Sequence, residues 1–143
     1  MSGKTLLDTN VFIDYLRTGA HEDWVAGRVE GTVRFLSAIV MMELRMGADT
    51  PLRRRAVDRI RRAFPDPRFI APGPELYDRA AVLFRRIHGD AAGMSDRLGA
   101  VNDILIALSA WQIGARIVTS NLKDFRRIAK LVSGVVVVDP TAR

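Results

Sequence analysis

Short apolar runs alternate along the chain with longer stretches of helical spacing. The apolar, β-branched runs Thr5–Leu7, Val33–Ser37, Arg68–Ala71, Arg116–Thr119 and Val135–Val138 predict strands. They lack strict apolar–polar alternation, which suits strands covered on both faces. Between them the spacing predicts helices over Asn10–Arg17, His21–Glu30, Ala38–Met46, Pro51–Phe64, Pro74–His88, Val101–Ile113 and Leu122–Val132. Glycines such as Gly19, Gly47 and Gly114 stand where these patterns stop, and Pro51 and Pro74 occupy first turns. Strands that alternate with helices predict an α/β fold, a parallel sheet with helices on both sides, in a single domain over residues 1–143. In such a sheet, functional groups gather outside the carboxyl ends of the strands. Asp8 stands at one such end, and Ser120 and Asn121 at another.

Composition narrows the chemistry. The chain is 48% apolar and 27% charged, the balance of a globular domain rather than a disordered one. No apolar run approaches the roughly 18 residues of a membrane span. The start, Met-Ser-Gly-Lys, leads straight into a strand pattern without room for a signal peptide. Zero cysteines exclude disulfides and thiolate metal sites and agree with a cytoplasmic location. The histidines, His21 and His88, are too few for a His-rich zinc site, so any metal is held mainly by oxygen. A formal charge of +6 points to a polyanionic partner, nucleic acid first. The preference for 19 arginines over three lysines also follows from genome composition alone, so charge gains meaning only beside matching chemistry.

That chemistry lies in the acids. In "KTLLDTNVFID", Asp8 follows a strand directly and is either a helix cap or the first piece of a charged site. In "SAIVMMELRMGA", Glu43 sits within an apolar helix that Ser37 can cap; it pairs either with Arg45 or a neighbouring arginine, or with other site residues. In "LGAVNDILIALSAWQIG", Asp103 occupies the first turns of an apolar helix, as a dipole or capping residue beside Asn102 or as a ligand. In "TSNLKDF", Ser120 or Asn121 can cap the helix that carries Asp124. Carboxylates brought together repel, and one is forced to keep its proton. A divalent cation removes that penalty, and Mg²⁺ or Mn²⁺ suits oxygen donors. Oxygen-bound dications beside a basic surface suggest phosphodiester hydrolysis.

The blocks "LLDTNVFIDYLR", "SAIVMMELRMGA", "LGAVNDILIALSAWQIGA" and "IVTSNLKDF" occur in this order and at similar spacing in PIN-domain proteins. Over essentially its whole length the chain resembles the VapC-type ribonuclease toxins of toxin–antitoxin pairs. The resemblance implies a PIN-like three-layer sandwich around a parallel sheet of about five strands in the order 3-2-1-4-5. It implies that Asp8, Glu43 and Asp103 form the acidic core of a Mg²⁺ or Mn²⁺ site, with Asp8 and Asp103 the most direct ligands. Asp124 completes the catalytic acids, or Asn121 takes that fourth role. Asn10, Thr119 and Asn121 orient carboxylates or water, and Asp14 is a surface helix residue that recurs in the motif. The implied activity is cleavage of RNA by metal-activated water, leaving 5′-phosphate and 3′-hydroxyl ends. The implied partners are the RNA substrate, a second copy in a homodimer, and a VapB-type antitoxin that blocks the site in a hetero-oligomer, with no membrane.

Two other readings compete. A phosphoryl-transfer domain with Asp8 as nucleophile normally has a second acid two residues on, where this chain has Asn10. A non-catalytic metal- or RNA-binding domain is the other, although acids facing phosphate bring nothing to a mere RNA binder. In "PLRRRAVDRIRRAF", Leu52, Ala56, Ile60 and Ala63 predict a buried stripe. Its Arg53, Arg54 and Arg55 are either a solvated face or an RNA-binding surface. Met41, Met42 and Met46 read as packing residues or as adaptable contacts for a partner helix, and Trp24 and Trp111 as packing residues.

Overall fold

A computed structural model describes residues 3–90 and 93–141. The strands β1 (Lys4–Leu7), β2 (Val33–Ser37), β3 (Phe69–Ile70), β4 (Arg116–Val118) and β5 (Val137–Val138) pair in parallel in the order β3-β2-β1-β4-β5. That is the expected α/β sheet. Leu6 stands opposite Phe35 on one side and Ile117 on the other, and Thr5, Leu6 and Leu7 are fully buried. The outermost strands, β3 and β5, have one partner each and are shorter than their apolar runs.

Seven helices join the strands among the described residues: α1 (Thr9–Thr18), α2 (Glu22–Val25), α3 (Ala38–Met46), α4 (Pro51–Arg62), α5 (Pro74–His88), α6 (Arg97–Gln112) and α7 (Leu122–Leu131). Helices α3 and α5 cover the residues their spacing predicts. Helix α1 ends on Gly19, whose φ of 76° is the left-handed conformation that suits glycine. Helix α5 packs on α6 and α7, whereas α1 and α4 pack on α3, which also touches α6.

Three expectations are corrected. The helix predicted over His21–Glu30 stops at Val25, because Arg34 Nη1 donates to the Val25 carbonyl and Gly27 turns left-handed at φ 74°. Helix α6 begins at Arg97, before the predicted Val101, because the Asp96 carboxylate accepts the Gly99 N–H at 2.8 Å as its cap. Asn102 and Asp103 are therefore not capping or first-turn residues. On α4 the buried residues are Val57 and Ile60, followed by Phe64, while Leu52 is 66% exposed. Met41 is buried as a packing residue, but Met42 and Met46 face solvent. Trp24 is buried and donates from Nε1 to Pro140 O at 2.9 Å.

Helix α6 is buried from Ile104 through Ala110, so it runs through the interior with no solvated stripe there. No helix among the described residues is long and apolar enough to cross a membrane. The connections after β1 and β4 diverge, β1 leading into α1 and β4 into α7, and open a crevice at the carboxyl ends of the central strands.

Candidate active site

Asp8 follows β1, and its N–H donates to Val118 O at 2.9 Å, which extends the pairing of β1 with β4. Its Oδ1 accepts the Thr9 N–H at 2.8 Å and caps α1, and its Oδ2 accepts the Thr119 hydroxyl at 2.8 Å. Cap and site coincide in this one carboxylate. Burial pushes its pKa up to about 6. The Thr119 and Thr9 hydrogen bonds oppose that rise, and the charge of Glu43 adds to it.

Glu43 reaches in from α3. Its Oε1 accepts the Thr9 hydroxyl at 2.6 Å and its Oε2 accepts Asn102 Nδ2 at 3.4 Å. Among the described residues no arginine pairs with it: Arg45 turns away to Asp58 at 2.6 Å. Asp103, on α6, is pushed up to about 8 by burial, then by the negative charges of Asp8, Glu43, Asp124 and Asp96.

Asn121 stands at the cap position of α7 without capping it. Its Nδ2 donates instead to Asp103 Oδ2 at 3.3 Å and Asp124 Oδ2 at 3.1 Å, linking both carboxylates. Both candidates for the fourth site residue therefore face the same acid. Thr119 lies fully buried beneath; its Oγ1 accepts the Asn121 N–H at 3.0 Å and Asn10 Nδ2 at 3.4 Å. Asn10 Oδ1 accepts the Ser120 N–H at 3.2 Å, pinning the turn after β4.

Asp8, Asn10, Glu43, Asp103, Asn121 and Asp124 line a single cleft of about 530 Å³. Asp14 stays outside it and pairs with His21 Nε2 at 3.2 Å. Three further residues on its wall, Asp96, His88 and Arg127, have no place in the expected site. Arg127 follows Asp124 by three residues on a helix, a spacing that puts both on one face and that the sequence already carries.

The arginines of α4 lie apart from this cleft. Arg53 is held by Asp49 at 2.5 Å and lines a second groove beside Arg59, Leu52 and Ala56; Arg54 and Arg55 line neither. The groove meets the cleft at Ile13 and Glu43, which line both.

Whether these residues suit a metal follows from their chemistry. Among the described residues no group of three acids or histidines converges closely enough to hold an ion alone. Mg²⁺ takes few protein carboxylates and keeps several waters, so it needs no such cage. Asp8 and Asp103 offer hard oxygens, accept bonds among the described residues only from neutral donors, and are pushed up in pKa by burial first and by neighbouring acids second. The donor set fits a hydrated divalent cation.

A family model described as the PIN domain matches residues 5–131. The chain belongs to the PIN-domain family. PIN domains are in general nucleases that use a divalent metal. This PIN domain is similar in fold to a chain of VapBC-1 from nontypeable Haemophilus influenzae, with a TM-score of 0.64 at 23% identity over 97% of this chain and 99% of that one. It is also similar to one of VapBC2 from Rickettsia felis, solved with a promoter DNA fragment, with a TM-score of 0.67 at 18% identity over 95% and 98% of the two chains. A third is DNA-bound VapBC from Salmonella typhimurium, at TM-score 0.61 and 25% identity over 96% and 98%. The search of curated proteins finds no sequence match to this chain.

Proposed function

We propose that this PIN domain is a Mg²⁺- or Mn²⁺-dependent endoribonuclease and the toxin of a VapBC-type pair. The observation that carries the reading is the meeting of Asp8, Glu43, Asp103 and Asp124, from separate elements, in one cleft where, among the described residues, the donors to their oxygens are neutral. Asp8 and Asp103 hold the cation and Glu43 completes the acidic core. When bound, the cation lowers the pKa of attacking water and offsets charge on the phosphorus-bound oxygens. Thr119 and the Thr9 N–H fix both oxygens of Asp8, so its carboxylate is set before substrate arrives. Thr9 and Asn102 orient Glu43 in the same way. Asn121 holds Asp103 and Asp124 apart at a fixed spacing and leaves Asp124 exposed to accept a proton from water.

The groove beside Glu43 supplies the partner reading. Ile13, Leu16, Leu44 and Leu52 make it apolar, and Arg17 and Arg59 make it basic. It suits an amphipathic antitoxin segment with acidic residues, which reaches the cleft along the shared wall of Ile13 and Glu43. Phosphoryl transfer on Asp8 is disfavoured, since the position of the second acid, two residues on, is Asn10, whose side chain holds the turn at Ser120.

The test is cleavage of single-stranded RNA with Mn²⁺, Mg²⁺ or chelator. Cleavage should need the metal and yield 5′-phosphate ends, and Asp8→Asn should lose at least about 100-fold in rate while melting as a folded protein. Full activity in Asp8→Asn, or activity undiminished by chelator, overturns the assignment.

A further inference from the structure

A polyanionic strand entering a cleft lined by Asp8, Glu43, Asp96, Asp103 and Asp124 needs positive charge within reach. Among the described residues Arg127 is the only arginine or lysine on that lining. Its Nη2 donates to the Ile87 carbonyl at 3.1 Å, in the last turn of α5, which anchors the guanidinium at the cleft's edge. Among the described residues no carboxylate forms an ion pair with it, whereas Arg28 has two such partners and Arg45 and Arg53 have one each. A guanidinium tied by one N–H and otherwise unpaired keeps donors for a phosphate.

His88 ends α5 on the same wall. Its ring packs against Phe84, with centroids 4.9 Å apart and planes tilted by 47°, so the imidazole is held as a flat, half-buried surface. Ile87 and Met94 extend that wall with apolar surface. Charge and a flat ring side by side are what a nucleotide needs, phosphate on one and base on the other.

We propose that Arg127 and His88 form a subsite for the nucleotide adjoining the cleaved bond, Arg127 binding its phosphate and His88 stacking its base. The strand then crosses the cleft over α5 and α7, away from the arginines of α4. This rests on the reading of the cleft as an RNA-cleaving site. Arg127 and His88 bind and position the strand; the acids perform the chemistry.

The experiment pairs steady-state cleavage of a fluorescent single-stranded RNA, with Mn²⁺, with equilibrium binding of the same RNA across a salt series. It compares the full chain with Arg127→Ala, Arg127→Lys, His88→Ala and His88→Phe. Arg127→Ala should raise KM about tenfold with kcat changed by less than about threefold, and reduce the salt slope of binding by about one ion. Lysine should restore the salt slope but not the full KM, because it lacks the forked donors. Phenylalanine at position 88 should restore what alanine loses. Unchanged KM and salt slope in Arg127→Ala overturn the subsite, and so does a fall in kcat matched by a lower Tm, which marks Arg127 as a mere tie between α7 and α5. If the unaltered chain binds this RNA through Arg127 yet never cleaves RNA, the nuclease reading fails and takes the cleavage subsite with it, leaving Arg127 and His88 as an RNA-binding site alone. If it cleaves and Arg127→Ala matches it, the subsite fails alone; if it neither binds nor cleaves, both fail.

Discussion

Asp8 and Asp103 show how one residue type takes different states in neighbouring places. Asp8 is nearly inaccessible but accepts two hydrogen bonds, which hold its pKa to about 6; Asp103, with one side-chain donor and more negative neighbours, rises to about 8. A carboxyl whose folded value lies above its unfolded value binds a proton more tightly when folded. Its contribution to stability is therefore complete below the unfolded value of 3.8 and is lost as pH rises through the folded value near 8. Without metal, Asp103→Asn should melt higher than the unaltered chain at pH 8.5, by about 4–8 °C for a change on the order of 2 kcal/mol. That gap should close near pH 4, and Mn²⁺ should raise the Tm of the unaltered chain while leaving the variant nearly unmoved. Thermal melts across pH, with and without metal, read all of this; an equal Tm for both chains at pH 8.5 removes the charge-crowding argument.

At the scale of elements, local rules fared best where the chain's neighbours agree with its own pattern. Helices α3 and α5 start at a Ser37 cap and at Pro74, and both have the bounds that apolar spacing predicts. Helix α2 failed because Arg34, distant in sequence, takes the carbonyl at which the helix would have continued. Helix α6 starts early because Asp96, a polar residue outside the apolar pattern, caps it. The interior course of α6 carries its own prediction. Ile106 is fully buried, so Ile106→Ala should cost about 2–5 kcal/mol, whereas Leu98→Ala, at a position 54% exposed, should stay within about 0.5 kcal/mol. Urea unfolding of both variants distinguishes them. Equal midpoints mean that α6 is not packed on all sides.

At the scale of the whole molecule, the acidic cleft and the apolar, arginine-bearing groove share a wall at Ile13 and Glu43. A partner lying in the groove can therefore block the cleft without touching Asp8 or Asp103. Leu52, exposed on α4 at the groove's rim, should matter to that partner and little to the fold. Against the antitoxin proposed above, Leu52→Asp should weaken binding at least about tenfold and relieve inhibition in proportion, since burying an unpaired carboxylate is costly. Titration calorimetry with a cleavage assay measures both, and undiminished inhibition places the partner elsewhere.

Much of this molecule is legible from residue order alone. Apolar runs and helical spacing give the alternation of strands and helices, because those signals depend on near neighbours in the chain. The absence of cysteine and the scarcity of histidine point any metal mainly to oxygen donors. Which acids meet is another matter. Thr119 donates to Asp8 across 111 positions only because β4 lies parallel to β1, and Asn102 reaches Glu43 only because α6 packs on α3. Arg127 and His88 come to one wall through the packing of α7 on α5, which no spacing within either helix encodes. Periodicity acts over a few residues, whereas the distance between remote side chains depends on sheet order and helix packing, and these only the folded chain decides.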